Sequence, residues 1–303
     1  MSAHHDHDHH DHSHHGHSHV HATGNIAVAF FLNSAFAIIE LVGGLMTNSV
    51  AILSDALHDF GDSLSLGTAW YFQKKSEGGR TVNYTYGLKR FSLIGAFVNA
   101  VVLVIGSVFI ISESVQRLVH PEQADAKGML YLALLGVAAN LIAMLRLRKG
   151  SSINERVVSL HFLEDVLGWI AVLIGSVVMM YVDFPMIDPI LSLCIAGFVL
   201  FNVYRNIKPA LNIILQGVPE DISERKVREL VLQEKEIVNI HDFRVWTLDG
   251  IHHVMSLHVE VGNNMDLKQA EVLKEKIKTR LQNIHISHAT IEVEFNPEHC
   301  REK

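Results

Sequence analysis

The sequence predicts a helical membrane protein: six transmembrane helices, followed by a C-terminal cytoplasmic α+β domain with the element order αββαβ. Three observations lead there. Six apolar stretches succeed one another between residues 25 and 207, each close to the roughly 20 residues with which a helix crosses a hydrocarbon layer about 30 Å thick. Lys and Arg crowd alternate connections. Beyond Pro209 the composition turns to charged helices and alternating strands. With 49% hydrophobic and 19% charged residues, the first two-thirds are too apolar for an ordinary soluble domain. A net charge of −7 with histidine neutral gives no electrostatic case for nucleic acid as a partner.

Residues 1–23 hold 11 of the 21 histidines, interleaved with Asp, Ser and Gly. Almost nothing there can be buried, which predicts a disordered tail with weak metal capture as its role. This polar tail stands where the basic start of a leader would be, so no signal peptide is expected. The two cysteines, Cys194 in an apolar run and Cys300 near the polar C-terminus, imply no disulfide framework.

The apolar stretches lie at about 25–46, 49–72, 91–112, 128–147, 157–182 and 187–207. Lys74, Lys75, Arg80, Lys89 and Arg90 mark the second connection; Arg146, Arg148, Lys149 and Arg156 mark the fourth; Arg205 and Lys208 follow the sixth stretch. The first and fifth connections have neither Lys nor Arg, and the third has only Arg117 and Lys127. Positive charge on the inside then places both termini in the cytoplasm. The expected domains are a tail at 1–23, a membrane domain at 24–208 and a cytoplasmic domain at 209–303. Small residues such as Gly43-Gly44, Gly136 and Ala196-Gly197 allow close helix approach in lipid. Asn33 and Asn140 are expected to hydrogen-bond between helices, and Glu40 either to support a polar site or to line a wet cavity.

The second stretch carries Asp55, His58, Asp59 and Asp62 near its middle. An ionised carboxylate at that depth costs at least about 2.5–3.5 kcal/mol, so such groups face a partner or a pathway. At about 100° per residue, Asp55, His58 and Asp62 share a face about 60° wide, with Asp59 to one side. The fifth stretch repeats the device in His161-Phe-Leu-Glu164-Asp165. Two His-x-x-x-Asp pairs, each one turn apart, bring two imidazoles and two carboxylates toward one point. That donor set suits Zn²⁺, with four ligands at about 2.0–2.2 Å, better than Mg²⁺ or Ca²⁺, which prefer all-oxygen shells. Four protein ligands leave no position for an activated water, which favours carrying the ion over hydrolysis. A His-Glu-x-x-His protease signature is absent from the sequence. Spacing leaves open whether Asp55 or Asp62 joins His58. Depth counting also sets Asp165 farther from the outer end of its helix than His58, so the fifth helix must protrude or tilt for the pairs to meet.

In the C-terminal part, Glu224–Glu236 and Leu267–Asn283 have helical periodicity, and Asn239–Thr247 reads as the first strand. Ile251, His253, Met255, Leu257, Val259 and Val261 alternate with His252, Val254, Ser256, His258 and Glu260. Ala289, Ile291, Val293 and Phe295 alternate with His288, Thr290, Glu292 and Glu294. Each pattern predicts a strand with one covered face.

The run Asn48-Ser-Val-Ala-Ile-Leu-Ser-Asp55-Ala-Leu-His58 with Asp62, the pair Tyr86-Gly87, His161-x-x-x-Asp165 and His241-Asp-Phe-Arg-Val-Trp246 together resemble the zinc transporters of the cation diffusion facilitator family. The resemblance implies a homodimer in a lipid bilayer that exports Zn²⁺ from the cytoplasm in exchange for H⁺, is not an enzyme and uses no prosthetic group. It implies His58, Asp62, His161 and Asp165 as the transport site, choosing Asp62 over Asp55. It further implies a ferredoxin-like, metallochaperone-like cytoplasmic domain, with His241, His258, His288 and Glu294 as candidate ligands of additional zinc. The loop Ser76–Leu88 offers only Glu77, so no loop metal site is expected there. Where relatives pair an acid after the sixth span with a base before the third, this chain has Gln216 and Arg90. The short fourth connection lacks a His-rich insert, which suggests a bacterial inner membrane rather than an organelle membrane. The alternatives are a broader exporter of Cd²⁺ and Co²⁺, or a membrane-bound zinc sensor or storage protein.

Overall fold

The computed structural model describes residues 18–76, 80–147, 153–182, 184–262 and 265–295. The tail read at 1–23 lies outside them as far as residue 17, and so does Cys300. Six long helices come first: α1 (Ser18–Thr47), α2 (Val50–Ser76), α3 (Phe91–Val119), α4 (Ala126–Leu147), α5 (Ile153–Tyr181) and α6 (Ile187–Ile214).

Several helices outrun the apolar stretches that predict them. α1 starts at Ser18, within the stretch read as tail. α3 continues from the apolar run to Val119, with Arg117 in its last turn, where a cation offsets the negative end of the helix dipole. α6 passes through Pro209 and ends at Ile214. Proline there removes one N–H donor, the partner of the Arg205 carbonyl in an unbroken helix, without ending the helix.

Five of these helices are long and apolar enough to cross a membrane, with candidate spans at Phe30–Thr47, Leu93–Val119, Ala126–Leu145, His161–Tyr181 and Ile187–Ile214. α2 is also long, at 27 residues. Its mean hydropathy is lowered by the polar groups in its middle, Asp55, His58, Asp59 and Asp62.

The described chain forms two compact units, one of residues up to Gly67 with Leu103–Val199, the other of Thr68–Val102 with Leu200 onward. In the first, Trp169 of α5 is buried among Ile52 of α2, Met129 and Ala133 of α4, and Val172. Its indole meets Phe36 edge-on, with centroids 5.9 Å apart. A methyl on Gly136 would overlap the Trp169 ring, so glycine is what lets α4 and α5 approach this closely. Between helices in lipid there is little hydrophobic gain, so this interlocking contact holds them by packing.

The second unit contains α7 (Glu224–Val231), β1 (Ile237–Thr247), β2 (His253–Val261), α8 (Leu267–Gln282) and β3 (Ile286–Glu294), in the expected αββαβ order. The sheet order is β1-β2-β3. β1 and β2 are antiparallel, whereas β2 and β3 are parallel. A parallel pair needs a long crossover, and α8 supplies it. Leu273, Ile277 and Leu281 fall on one face of α8 and pack on Met255, Leu257 and Val259 of β2 and Ile291 of β3. Asp266 opens α8 with a reciprocal capping box to Gln269. α7 ends after two turns, once Val227 and Val231 are buried.

Candidate metal centres

α2 is fixed at its first turn before it reaches its acidic middle. Asn48 takes a left-handed conformation, φ 53°, that breaks α1 from α2. Arg117 of α3 donates to the Asn48 carbonyl at 2.7 Å and to Asn48 Oδ1 at 2.8 Å. Asp188 of α6 then caps α2 from outside. Its carboxylate accepts from Ser49 Oγ at 2.5 Å, from the Val50 N–H at 2.8 Å and from the Ala51 N–H at 3.2 Å. The first N–H groups of a helix have no partner within it, and an anion there also meets the positive end of the dipole.

Two turns on, the paired motifs meet. Asp62 Oδ2 lies 3.7 Å from His58 Nε2 and 3.3 Å from His161 Nε2 across to α5. His161 Nε2 lies 3.6 Å from Asp165 Oδ2. The two imidazole centroids are 6.3 Å apart. Donor atoms at about 2.1 Å around a tetrahedral Zn²⁺ are about 3.4 Å from one another, so each of these three pairs is spaced as two ligands of one ion would be. Asp62 Oδ2 and both Asp165 oxygens make no hydrogen bond, which leaves their lone pairs for an ion. Asp165 is 3% exposed at its side chain while His161 is 28% exposed, so the site is buried on one side and accessible on the other.

The depth mismatch comes to about one turn when it is counted at Asp62 and Asp165. Asp62 is about 18 Å from the start of α2 and Asp165 about 24 Å from the end of α5 at 1.5 Å per residue. α5, with 29 residues, has the reach to overhang by that turn.

The other acids of α2 do not join this group by any close contact among the described residues. Asp55 faces Gly168 of α5. Asp59 is fully buried beside Glu40, and Glu40 also neighbours the Trp169 indole. Glu40 is 1% exposed, which removes the wet-cavity alternative. Asn33 reaches between helices, donating to the Asp59 carbonyl at 2.9 Å and to Ser63 Oγ at 3.2 Å. Asn140 differs from expectation: its amide donates back to Gly136 of the same helix at 3.2 Å, because the i−4 carbonyl is the nearest acceptor.

A second group forms on the sheet. His241 Nε2 lies 3.0 Å from Glu294 Oε2, and His258 Nδ1 lies 2.9 Å from Glu294 Oε1. One donor atom from each of His241, His258 and Glu294 falls within 4.8 Å of the others, a grouping that could hold a metal ion. His288 is not brought there. Parallel register sets it opposite Val254, whereas His258 faces Glu292 and Glu260 faces Glu294. His288 instead packs edge-on against Tyr86. Asp242 and Glu292 take a place near the group, each 3.4 Å from His258 Nε2. A bulge between His241 and Arg244, with Asp242 at φ 45°, turns Asp242 toward this group.

Comparison with known proteins follows this geometry along the chain. The model for the cation efflux transmembrane domain matches residues 26–215, and that for the cation efflux protein cytoplasmic domain matches residues 219–296. The chain belongs to the cation efflux family. A cadmium, cobalt and zinc/H⁺-K⁺ antiporter of Bacillus velezensis is 31% identical over 282 residues, 90% of each chain. The zinc transporter ZitB of Escherichia coli is 33% identical over 277 residues, covering 89% of this chain and 87% of its own. The metal cation efflux system protein CzcD of Cupriavidus metallidurans is 32% identical over 302 residues, 98% and 92% of the two chains. This cation efflux protein is therefore an integral membrane protein of a transporter family, with a helical membrane domain and a C-terminal cytoplasmic domain.

Proposed function

We propose that this cation efflux protein exchanges cytoplasmic Zn²⁺ for H⁺ through a tetrahedral site of His58, Asp62, His161 and Asp165. The observation that carries the reading is the contact between helices, Asp62 Oδ2 to His161 Nε2 at 3.3 Å, which joins the two motifs into one donor set. α2 then spans the bilayer as the sixth transmembrane helix, its charged middle facing α5 rather than lipid. Both termini are cytoplasmic, the membrane is a bacterial plasma membrane and the working unit is a homodimer. Names of relatives that include H⁺ antiport, and a cytoplasmic-domain match over 219–296, support these assignments.

Exchange follows from competition. Imidazole and carboxylate ligands bind metal only when deprotonated, so protons reaching the site from outside displace Zn²⁺, and Zn²⁺ arriving from the cytoplasm displaces protons. The helices alternate between forms open to either side, each ligand stabilising the form that binds it better. The second group, His241, His258 and Glu294 with Asp242 close by, binds additional zinc in the cytoplasmic domain, and the tail at 1–23 concentrates metal near the entrance. A wider selectivity is the second reading, favoured by relatives named for cadmium and cobalt as well as zinc.

Zinc uptake into inverted vesicles tests the coupling. The expected result is uptake that collapses when the pH gradient is dissipated at constant voltage. Unchanged uptake would mean that Zn²⁺ moves without proton exchange.

A further inference from the structure

α6 touches α2 at two levels. At the start of α2, Asp188 accepts from Ser49, Val50 and Ala51. Farther along, Phe198 stands edge-on to His58, with ring centroids 6.4 Å apart and ring planes at 83°. Aromatic pairs favour this crossed arrangement at about 4.5–7 Å, where the positive edge of one ring meets the negative face of the other.

His58 depends on such a contact more than a metal-binding histidine usually does. Its Nε2 lies on the side of Asp62, 3.7 Å from Oδ2. Its Nδ1 is shielded from solvent and makes no hydrogen bond among the described residues. A histidine that ligates metal ordinarily donates its second ring N–H to a carboxylate, a carbonyl or a water, which fixes both the tautomer and the direction of the ring. Without that bond, the torsion about the Cβ–Cγ bond is broad, and only packing can set it. The rings against His58 are those of His161 and Phe198. His161 brings a donor atom of its own to the ion, and Phe198 brings none.

We propose, on the reading of His58 as a Zn²⁺ ligand, that Phe198 is the positioning residue for its imidazole. The ring on α6 blocks rotation about the His58 Cβ–Cγ bond and keeps Nε2 turned toward Asp62 before an ion arrives. Aiming a ligand in advance lowers the cost of binding, so the effect belongs to affinity rather than to maximal rate. A histidine aimed by shape, with no acceptor behind it, also holds metal less tightly than a hydrogen-bonded one, by about 10- to 100-fold. That weaker hold suits an ion that has to be released in every cycle.

Zn²⁺ flux in proteoliposomes under an imposed pH gradient, with insertion verified for each variant, gives the test. Phe198→Leu keeps apolar bulk and removes the ring, at a position already 44% exposed, so little packing is lost. It is expected to raise KM for Zn²⁺ by about twofold to tenfold, the scale of one edge-on aromatic contact, with the maximal rate unchanged. Phe198→Met serves the same purpose where leucine impairs insertion. Phe198→Tyr keeps the ring and is expected to keep the wild-type KM. Phe201→Leu removes a more exposed ring from the same helix and is expected to change nothing. His58→Asp has no imidazole to aim, so adding Phe198→Leu to it should leave KM where His58→Asp alone sets it. Equal KM in wild type and Phe198→Leu overturns the proposal. So does an equal rise in the wild-type and His58→Asp backgrounds, or a rise as large in Phe198→Tyr or Phe201→Leu, because the ring then acts on helix packing and not through His58. Wild-type flux by His58→Ala would remove His58 from the site and the proposal with it, whereas lost flux in His58→Ala beside an unchanged KM in Phe198→Leu refutes the proposal alone.

Discussion

Replacing Asp188 by alanine removes the acceptor of three donors at the start of α2, those of Ser49, Val50 and Ala51. All three residues are fully buried, and Asp188 itself is 2% exposed. Each buried donor left without a partner costs about 1–3 kcal/mol. The Ser49 hydroxyl can turn elsewhere, so the costs do not add fully, and the two buried backbone N–H groups left unpaired set a loss of about 3–5 kcal/mol. Asparagine keeps one acceptor oxygen and gives up the charge, for a loss of about 1–2 kcal/mol. At 1.4 kcal/mol per factor of ten, the alanine variant opens its first α2 turn at least about a hundredfold more often than wild type. Amide hydrogen exchange of Val50 and Ala51 in detergent or nanodiscs reads that opening directly. Protection should fall in the order wild type, Asp188→Asn, Asp188→Ala. Equal protection in wild type and the alanine variant would refute the cap, and equal loss in both variants would show that charge, not hydrogen bonding, holds the turn.

Two further outcomes are expected. His58→Asp replaces a single nitrogen by a carboxylate that binds through one oxygen or two, so it loosens the shell; side-by-side flux at matched free ion should show a higher Cd²⁺-to-Zn²⁺ ratio with both ions still moving, whereas an unchanged ratio would place selectivity elsewhere. At the β1–β2 turn, burial pushes the Asp249 carboxyl up, but the N–H groups of His252 and Ile251 and the His252 ring outweigh it and hold Asp249 below the usual carboxylate range. A folded-state value below the unfolded one, near 3.9, stabilises the turn above that pH and is lost as pH falls through the depressed value. Exchange protection at Ile251 and His252 should therefore be flat from neutral pH down to about 5 and fall below about 4, while Asp249→Asn should start lower and lack that acid step.

Much of this was legible in the chain itself because the signals are local. Apolar runs near membrane length declare the long helices, period-2 alternation declares β2 and β3, and intramembrane charge at i, i+4 declares His58 with Asp62 and His161 with Asp165. What escaped depends on tertiary register. Composition marks where lipid ends, not where a helix ends, so α1 begins early and α6 runs past Pro209. His288 shares a strand face with Glu294 by alternation, but the parallel pairing sets it well along the strand from His258. Asp242 is adjacent in sequence to His241 and would face away in a regular strand; only the bulge brings it back. Asp188 opens the sixth span as a lone acid, and nothing in the sequence pairs it with a turn 138 residues away.

The central claim is that one ion is held jointly by α2 and α5, and zinc flux by purified protein in proteoliposomes tests it most directly. Asp62→Ala removes the carboxylate that bridges His58 and His161, and Asp165→Ala removes the buried one. Each leaves three ligands in a site whose remaining charge is poorly compensated. With insertion and dimerisation verified for both variants, Zn²⁺ transport driven by an imposed pH gradient is expected to fall to the protein-free background. Transport at the wild-type rate by either variant would contradict a shared site of His58, Asp62, His161 and Asp165.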